Sequence, residues 1–207
     1  QETIRPALGK KAIVVFAGDH GIADEGVSAF PQEVTVEMVR TFLRGGAGVN
    51  AIANAAGAEV WVVDVGIKNE LDLKSMRNTD RLHVAKVAPG TANFARGAAM
   101  SIRQAEQAIL AGFTFCSALI EQGTEVLCPG DMGIANTTPS AAIGAAITGT
   151  SLDIMVGRGT GIDDAGLARK REAIQRGLDL SQPDPNDGLD VLSKVGGFEL
   201  GGIAGCV

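Results

Sequence analysis

Three short segments carry residue types that can do chemistry. The first is Gly130-Asp131-Met132-Gly133-Ile134-Ala135-Asn136-Thr137-Thr138-Pro139, which gathers a carboxylate, an amide, two hydroxyls and two glycines before an alanine-rich run. Proline suits the first turn of a helix, where its missing N–H costs nothing, so Thr138 is the expected N-cap. Gly133, Asn136 and Thr137 then face the positive end of a helix, a ready place for an anion. The second segment is Gly157-Arg158-Gly159-Thr160-Gly161. Alternate glycines expose backbone N–H groups, as in phosphate-binding nests. The segment lacks the Gly-Lys-Ser/Thr of a P-loop and the spacing of a dinucleotide fingerprint. Lys170 follows among several Lys and Arg residues of the next helix; most such cations are solvated surface, while one turned inward can hold a phosphate as a point charge. The third segment is Gly18-Asp19-His20-Gly21. Its Asp and His read either as an acid/base pair or as a turn in which Asp19 caps backbone amides.

Regular elements must bring these segments together. Residues 11–17 and 59–65 are β-branched runs closed by glycine, which predicts two buried strands. Residues 82–87 and 124–128 predict two more, and Ile154-Met155-Val156 a further short one. Apolar spacing at Val34, Met38, Val39, Phe42 and Leu43 predicts a helix. Further helices are expected over 49–56, 101–122 with Ser101 as N-cap, 139–148, 164–180 and 191–195. Residues 68–80 read as a polar surface excursion. Residues 196–207 look like the start of an apolar helix. Strands alternating with helices predict a mostly parallel, doubly wound, Rossmann-like α/β sheet with helices on both faces. The 207 residues fit a single α/β nucleotide-binding domain. Ligands of such sheets bind beyond the carboxyl ends of the strands, where all three segments fall.

Composition narrows the partners. Hydrophobic residues are 45% and aromatics 4% with no Tyr, so the core is built from small aliphatic side chains around 28 glycines. The net charge is −6 without a long basic run, which argues against nucleic acid. No apolar stretch approaches the ~18 residues that span a bilayer, and no signal peptide opens the sequence. Cys116, Cys128 and Cys206 form no Cys-x-x-Cys pair, and His20 and His83 lie far apart. A zinc site is not expected, and the thiols suit a reducing, cytoplasmic setting. Asp64 lies inside its strand rather than after it, which argues against a Rossmann-type oxidoreductase with an acidic ribose-binding residue.

Taken together, the segments resemble the nicotinate-nucleotide–dimethylbenzimidazole phosphoribosyltransferase family of cobalamin lower-ligand synthesis. The matching stretches are 17–22 (Ala-Gly-Asp-His-Gly-Ile), 25–35 (Glu-Gly-Val-Ser-Ala-Phe-Pro-Gln-Glu-Val-Thr), 63–66 (Val-Asp-Val-Gly), 90–93 (Gly-Thr-Ala-Asn), 130–139, 157–161 and 194–198 (Lys-Val-Gly-Gly-Phe). They keep the family's order along nearly the whole chain. The 25–35 and 130–139 stretches are the specific ones.

The resemblance implies a reaction. A nitrogen of 5,6-dimethylbenzimidazole attacks the ribosyl C1 of nicotinate mononucleotide, nicotinate leaves, and α-ribazole 5′-phosphate forms. The pyridinium leaves as a neutral ring, so the tasks are orientation and removal of the azole proton; no metal or cofactor is implied. Gly133, Asn136, Thr137 and Thr138 are then phosphate contacts. Lys170 matches the family's phosphate-binding lysine, and Gly157, Gly159 and Gly161 line the same pocket. Ser28, Phe30, Pro31 and Gln32 border the benzimidazole, with Phe30 as its flat apolar partner. Asp131 stands where some members carry Glu. The resemblance also implies a homodimer. It puts the general base, a glutamate in a Gly-Glu-Gly-type loop, beyond residue 207. Asp19, His20, Asp131 and Glu199 are the carboxylates and imidazole left to weigh as substitutes. Weak nucleotide binding and poor turnover are therefore expected of these 207 residues. The rival reading is a non-catalytic nucleotide-binding module of the same fold, which binds nicotinate mononucleotide without forming product.

Overall fold

The computed structural model describes residues 8–207. The two β-branched runs become the parallel strands β1 (Lys10–Gly18) and β2 (Ala58–Gly66). Strand β3 (Leu82–Val84) pairs parallel with β2, and β4 (Thr124–Met132) pairs parallel with the free side of β1. Among the described residues the sheet order is β3-β2-β1-β4. Successive strand side chains point to opposite faces, and β1 is apolar on both. Val15 and Ala17 join Val39, Phe42, Leu43 and Val62 under α1 (Glu33–Leu43), with α2 (Gly48–Ala56) alongside. Val14 and Phe16 join Ala105, Ala108, Val191 and Phe198 on the other face. That face is covered by α3 (Ile102–Glu121), α7 (Gly188–Val195) and α8 (Phe198–Cys206). Burial on both faces explains why the strands read as continuous apolar runs, and the doubly wound expectation holds.

Glycine does the work that aromatics do elsewhere. A Cβ on Gly112 of α3 would collide with the Gly202 carbonyl of α8, and one on Gly205 with the Ile109 carbonyl. The two helices therefore meet backbone to backbone, an approach only glycine permits. The contact presses α8 onto the sheet and delivers its first turn to the carboxyl end of β1. Ser101 caps α3 in a capping box with Gln104, which satisfies amides at the helix start.

Several boundaries differ from expectation. Ile154 and Met155 lie in α5 (Leu152–Met155), a single helical turn, instead of a strand; three apolar residues cannot separate the two periods. Strand β3 stops at Val84 instead of Val87. Strand β4 runs through Met132, so Gly130 and Asp131 belong to the strand. Helix α4 (Thr137–Thr148) starts earlier than expected: Asn136 occupies the N-cap and Thr138 is inside the helix. The cause is Ala135, whose left-handed φ of 75° turns the chain early, with the Thr138 N–H bonded to the Ala135 carbonyl. Pro139 is then the third helical residue, still among the positions whose N–H has no helical partner. The 68–80 excursion contains two 3₁₀ turns and buries Met76. Helix α6 (Asp164–Ser181) follows the glycine loop. No helix among the described residues is long and apolar enough to cross a membrane.

The chain steps from β1 outward to β2 and β3, then returns through α3 to β4 on the other side of β1. The crevice between β1 and β4 is the switch point of the sheet, the place where such folds bind ligands.

Candidate functional site

The open part of this crevice is built around Lys170. Helix α6 carries it inward until it is only 1% exposed. Its Nζ donates to Thr137 Oγ1 at 2.6 Å and to the Gly157 carbonyl at 3.4 Å. Among the described residues it makes no ion pair. Burial without a carboxylate lowers its pKa from 10.5 to about 8, because desolvation disfavours the charged form. Gly159 passes over the ammonium with φ 52°, and a Cβ there would lie 2.7 Å from Thr137 Oγ1 and 3.3 Å from Lys170 Nζ. Thr137, Ser140, Ala141, Met155, Gly157 and Gly159 line a cavity of about 330 Å³. Its floor is thus the amino end of α4, and a buried cation stands behind its wall. Such an arrangement is chemically suited to an anion.

The 28–32 loop is fastened to the glycine loop. The Ala29 N–H donates to Thr160 Oγ1 at 3.1 Å, and Ser28 Oγ lies 3.3 Å from the same atom. Gln32 Nε2 donates to the His20 carbonyl at 2.6 Å, while its Oε1 accepts from Lys68 Nζ at 3.2 Å. Phe30 is left 52% exposed and Pro31 exposed beside it. An exposed flat ring on a tethered loop is a surface for a planar apolar partner. Glu25 secures the base of the loop through Asn93 Nδ2 at 2.7 Å, Arg96 and Arg176.

The deep part of the crevice is different. Asp19 does not pair with His20. Its Oδ1 accepts from Thr35 Oγ1 at 2.6 Å and its Oδ2 from the Lys68 N–H at 2.9 Å, so the turn-capping reading is the one the geometry supports. Thr35 Oγ1 in turn accepts from the Ile134 N–H at 3.2 Å. One chain of bonds thereby ties β1, α1 and the β4–α4 turn together. Burial raises the Asp19 pKa against the opposing pull of Thr35, Lys68 and His20. His20 faces Glu199 instead, with Nε2 3.3 Å from Oε1 and both side chains at most 1% exposed. Burial alone would lower the His20 pKa, but Glu199, Asp19 and Asp131 together raise it.

Asp131 stands at the rim between the two parts, reaching solvent on one side. Crowding by protein atoms raises its pKa, the Glu199 charge raises it further, and Asn136 and His20 pull it down. Asn136 Nδ2 donates to Asp131 Oδ2.

The structure thus brings Thr137, Gly157, Gly159 and Lys170 together, with Ser28, Phe30, Pro31, Gln32 and Gly161 on the adjoining loops. It does not bring Thr138 or Gly133 to the cavity. Thr138 is fully buried. A Cβ on Gly133 would collide with the Gly18 carbonyl and lie 3.2 Å from His20 Nε2, so that glycine serves the close approach of two chain segments. Thr35, Thr160 and Lys68 carry contacts that residue type alone did not single out. Asp64 is buried, accepts from the Gly66 and Ile67 N–H groups and lies 3.5 Å from Lys86; it caps the end of β2. A second depression, of about 400 Å³, lies between α1, α2 and the amino end of β2. Its Asn50 and Asn78 amides are spent on the Phe42 and Leu43 carbonyls.

Fold and site together define an α/β protein with a cleft at the switch point of a parallel sheet and a buried lysine behind its wall. A family model described as phosphoribosyltransferase matches residues 1–207, and the chain belongs to that family. It is 52% identical over 203 residues to the nicotinate-nucleotide–dimethylbenzimidazole phosphoribosyltransferase of Chloroflexus aggregans, covering 98% of this chain and 56% of that protein. To the enzyme of the same name from Geobacter sulfurreducens it is 50% identical over 205 residues, covering 99% and 57%. The crystal structure of CobT from Thermus thermophilus superposes with a TM-score of 0.90 at 49% identity, over 97% of this chain and 59% of that one. The chain therefore spans a little over half the length of the curated relatives it matches.

Proposed function

We propose that these residues form the nucleotide-holding unit of an enzyme that moves the 5-phosphoribosyl group from nicotinate mononucleotide to 5,6-dimethylbenzimidazole. The carrying observation is Lys170: a buried ammonium with neutral partners only, set behind the cavity at the start of α4. A phosphate there supplies the counter-charge the cation lacks and raises its pKa back toward the ordinary value. Thr137 and the N–H groups around Gly157, Gly159 and Gly161 complete the cradle. The tethered 28–32 loop presents Phe30 to the azole, so that donor and acceptor meet across the crevice. The relatives' names support the choice of both substrates. Within this reading the enzyme is a cytoplasmic homodimer that needs no cofactor. The resemblance assigns the proton acceptor to a glutamate loop outside these residues, which leaves Asp131 as a rim residue of the cradle.

Calorimetry with nicotinate mononucleotide, run beside an assay for α-ribazole 5′-phosphate, tests the proposal. Binding with little or no turnover is the expected result. Absence of binding overturns it, and rapid turnover overturns the placement of the base outside these residues.

A further inference from the structure

The deepest polar group in the crevice is the His20–Glu199 couple, and the reaction outlined above makes no use of it. His20 follows β1; Glu199 is the second residue of α8, 179 positions away in sequence. Three glycines bring the backbone close to them. A Cβ on Gly18 would lie 3.2 Å from Glu199 Oε2, one on Gly133 3.2 Å from His20 Nε2, and one on Gly197 2.6 Å from His20 Cε1. Neither ring nitrogen of His20 and neither carboxylate oxygen of Glu199 forms a hydrogen bond with any described residue, so the 3.3 Å contact joins the two as a charge pair. A lone buried charge is costly, so each member depends on the other. The carboxylate also sits in the first turn of α8, where the helix dipole favours negative charge.

We propose that His20 and Glu199 are a positioning pair that locks the amino end of α8 to the carboxyl ends of β1 and β4. Through the Gly133 contact the pair holds the turn that leads into α4 and presents Thr137 to the cavity. Its members do not touch a ligand. Three elements bring charge to the imidazole: Glu199 from α8, Asp19 from the end of β1 and Asp131 from the end of β4. Each of the three is acidic, so the imidazole keeps its proton and Glu199 keeps its partner. The link to ligand binding rests on the reading of the Lys170 cavity as a phosphate site; the link between the pair and the Gly133 turn does not.

The test uses Glu199→Gln, which keeps shape and removes charge, and Glu199→Asp, which keeps charge and shortens reach. His83→Asn removes the only other imidazole, so one ring remains to follow by NMR. With Glu199 in place His20 should hold its proton above the ordinary range. In Glu199→Gln it should lose it at lower pH, and in Glu199→Asp recover it in part. Amide hydrogen exchange at residues 134–137 should quicken about tenfold in Glu199→Gln, while the β1 and β2 amides change less. Calorimetry should show about tenfold weaker binding of nicotinate mononucleotide. An unchanged His20 titration, or exchange that rises equally throughout the core, overturns the pair as a positioning device. Failure of the unsubstituted chain to bind the nucleotide overturns the phosphate reading instead, and the two NMR results still decide the pair.

Discussion

The crevice has an open end and a sealed end, and they solve opposite problems. At the open end a single cation, Lys170, is buried among neutral partners and its pKa falls to about 8. At the sealed end an imidazole is ringed by Glu199, Asp19 and Asp131 and its pKa rises. The sealed end sets its one imidazole against a carboxylate of the same chain. The open end is left short of one negative charge. The candidate anion site is a buried cation without a carboxylate beside it, whereas the deep pair is a cation that has one. The two share a wall, the 133–137 turn, so that the sealed end holds still what the open end uses.

The largest blow to the sealed end is Glu199→Ala. It strands a buried imidazole and should cost about 3–5 kcal/mol of stability, measured by urea unfolding. Gly133→Ala comes next. Its Cβ meets backbone that cannot yield, at the Gly18 carbonyl, for a loss of about 1–3 kcal/mol. Gly130→Ala, with open space around it, should stay within about 0.5 kcal/mol.

Lys170→Met sharpens the contrast because it acts in the opposite sense. Exchanging an unpaired buried cation for an apolar chain should leave stability equal or higher, yet weaken nucleotide binding by about 1.5–3 kcal/mol, roughly 10- to 100-fold. Thr137→Val, which removes one hydrogen bond to the ammonium, should cost about 1 kcal/mol of affinity.

The ends should also part in their response to pH. His20 and Asp19 have raised folded-state pKa values, so the folded chain holds their protons more tightly than the unfolded one. The His20 contribution is fully present below about 6.5 and is lost as pH rises through its folded value; that of Asp19 is lost in the acid range above 3.8. Lys170 has a lowered value, so the unfolded chain binds more protons between about 8 and 10.5. Stability should climb with pH across that window, and the climb should vanish in Lys170→Met. Bound phosphate should flatten it as well.

Much of this division could be read from the sequence. The β-branched runs, the glycines that close them and the order of elements are local signals, and they place residues 18–21, 130–139 and 157–161 at one end of the sheet. Lys170 is picked out from the several Lys and Arg of its helix by the family resemblance, because an inward turn leaves no mark in the sequence. What stayed hidden depends on tertiary approach. The left-handed Ala135 moved the start of α4 from Pro139 to Thr137, and no propensity announces a left-handed alanine. Glu199 could be weighed as a candidate, but its partner became visible only once Gly112, Gly202 and Gly205 had let α8 sink against α3. The Asp19–Thr35–Ile134 chain escaped notice for the same reason: a hydroxyl shows no partner until the chain folds it against one.

The open end is proposed to hold a phosphate on Lys170. Calorimetry comparing nicotinate mononucleotide with nicotinate riboside, the same molecule without its phosphate, tests it most directly. The mononucleotide should bind about 10- to 100-fold more tightly at neutral pH, and Lys170→Met should erase the difference. Equal affinity for the two ligands, or a difference that survives in Lys170→Met, would contradict it.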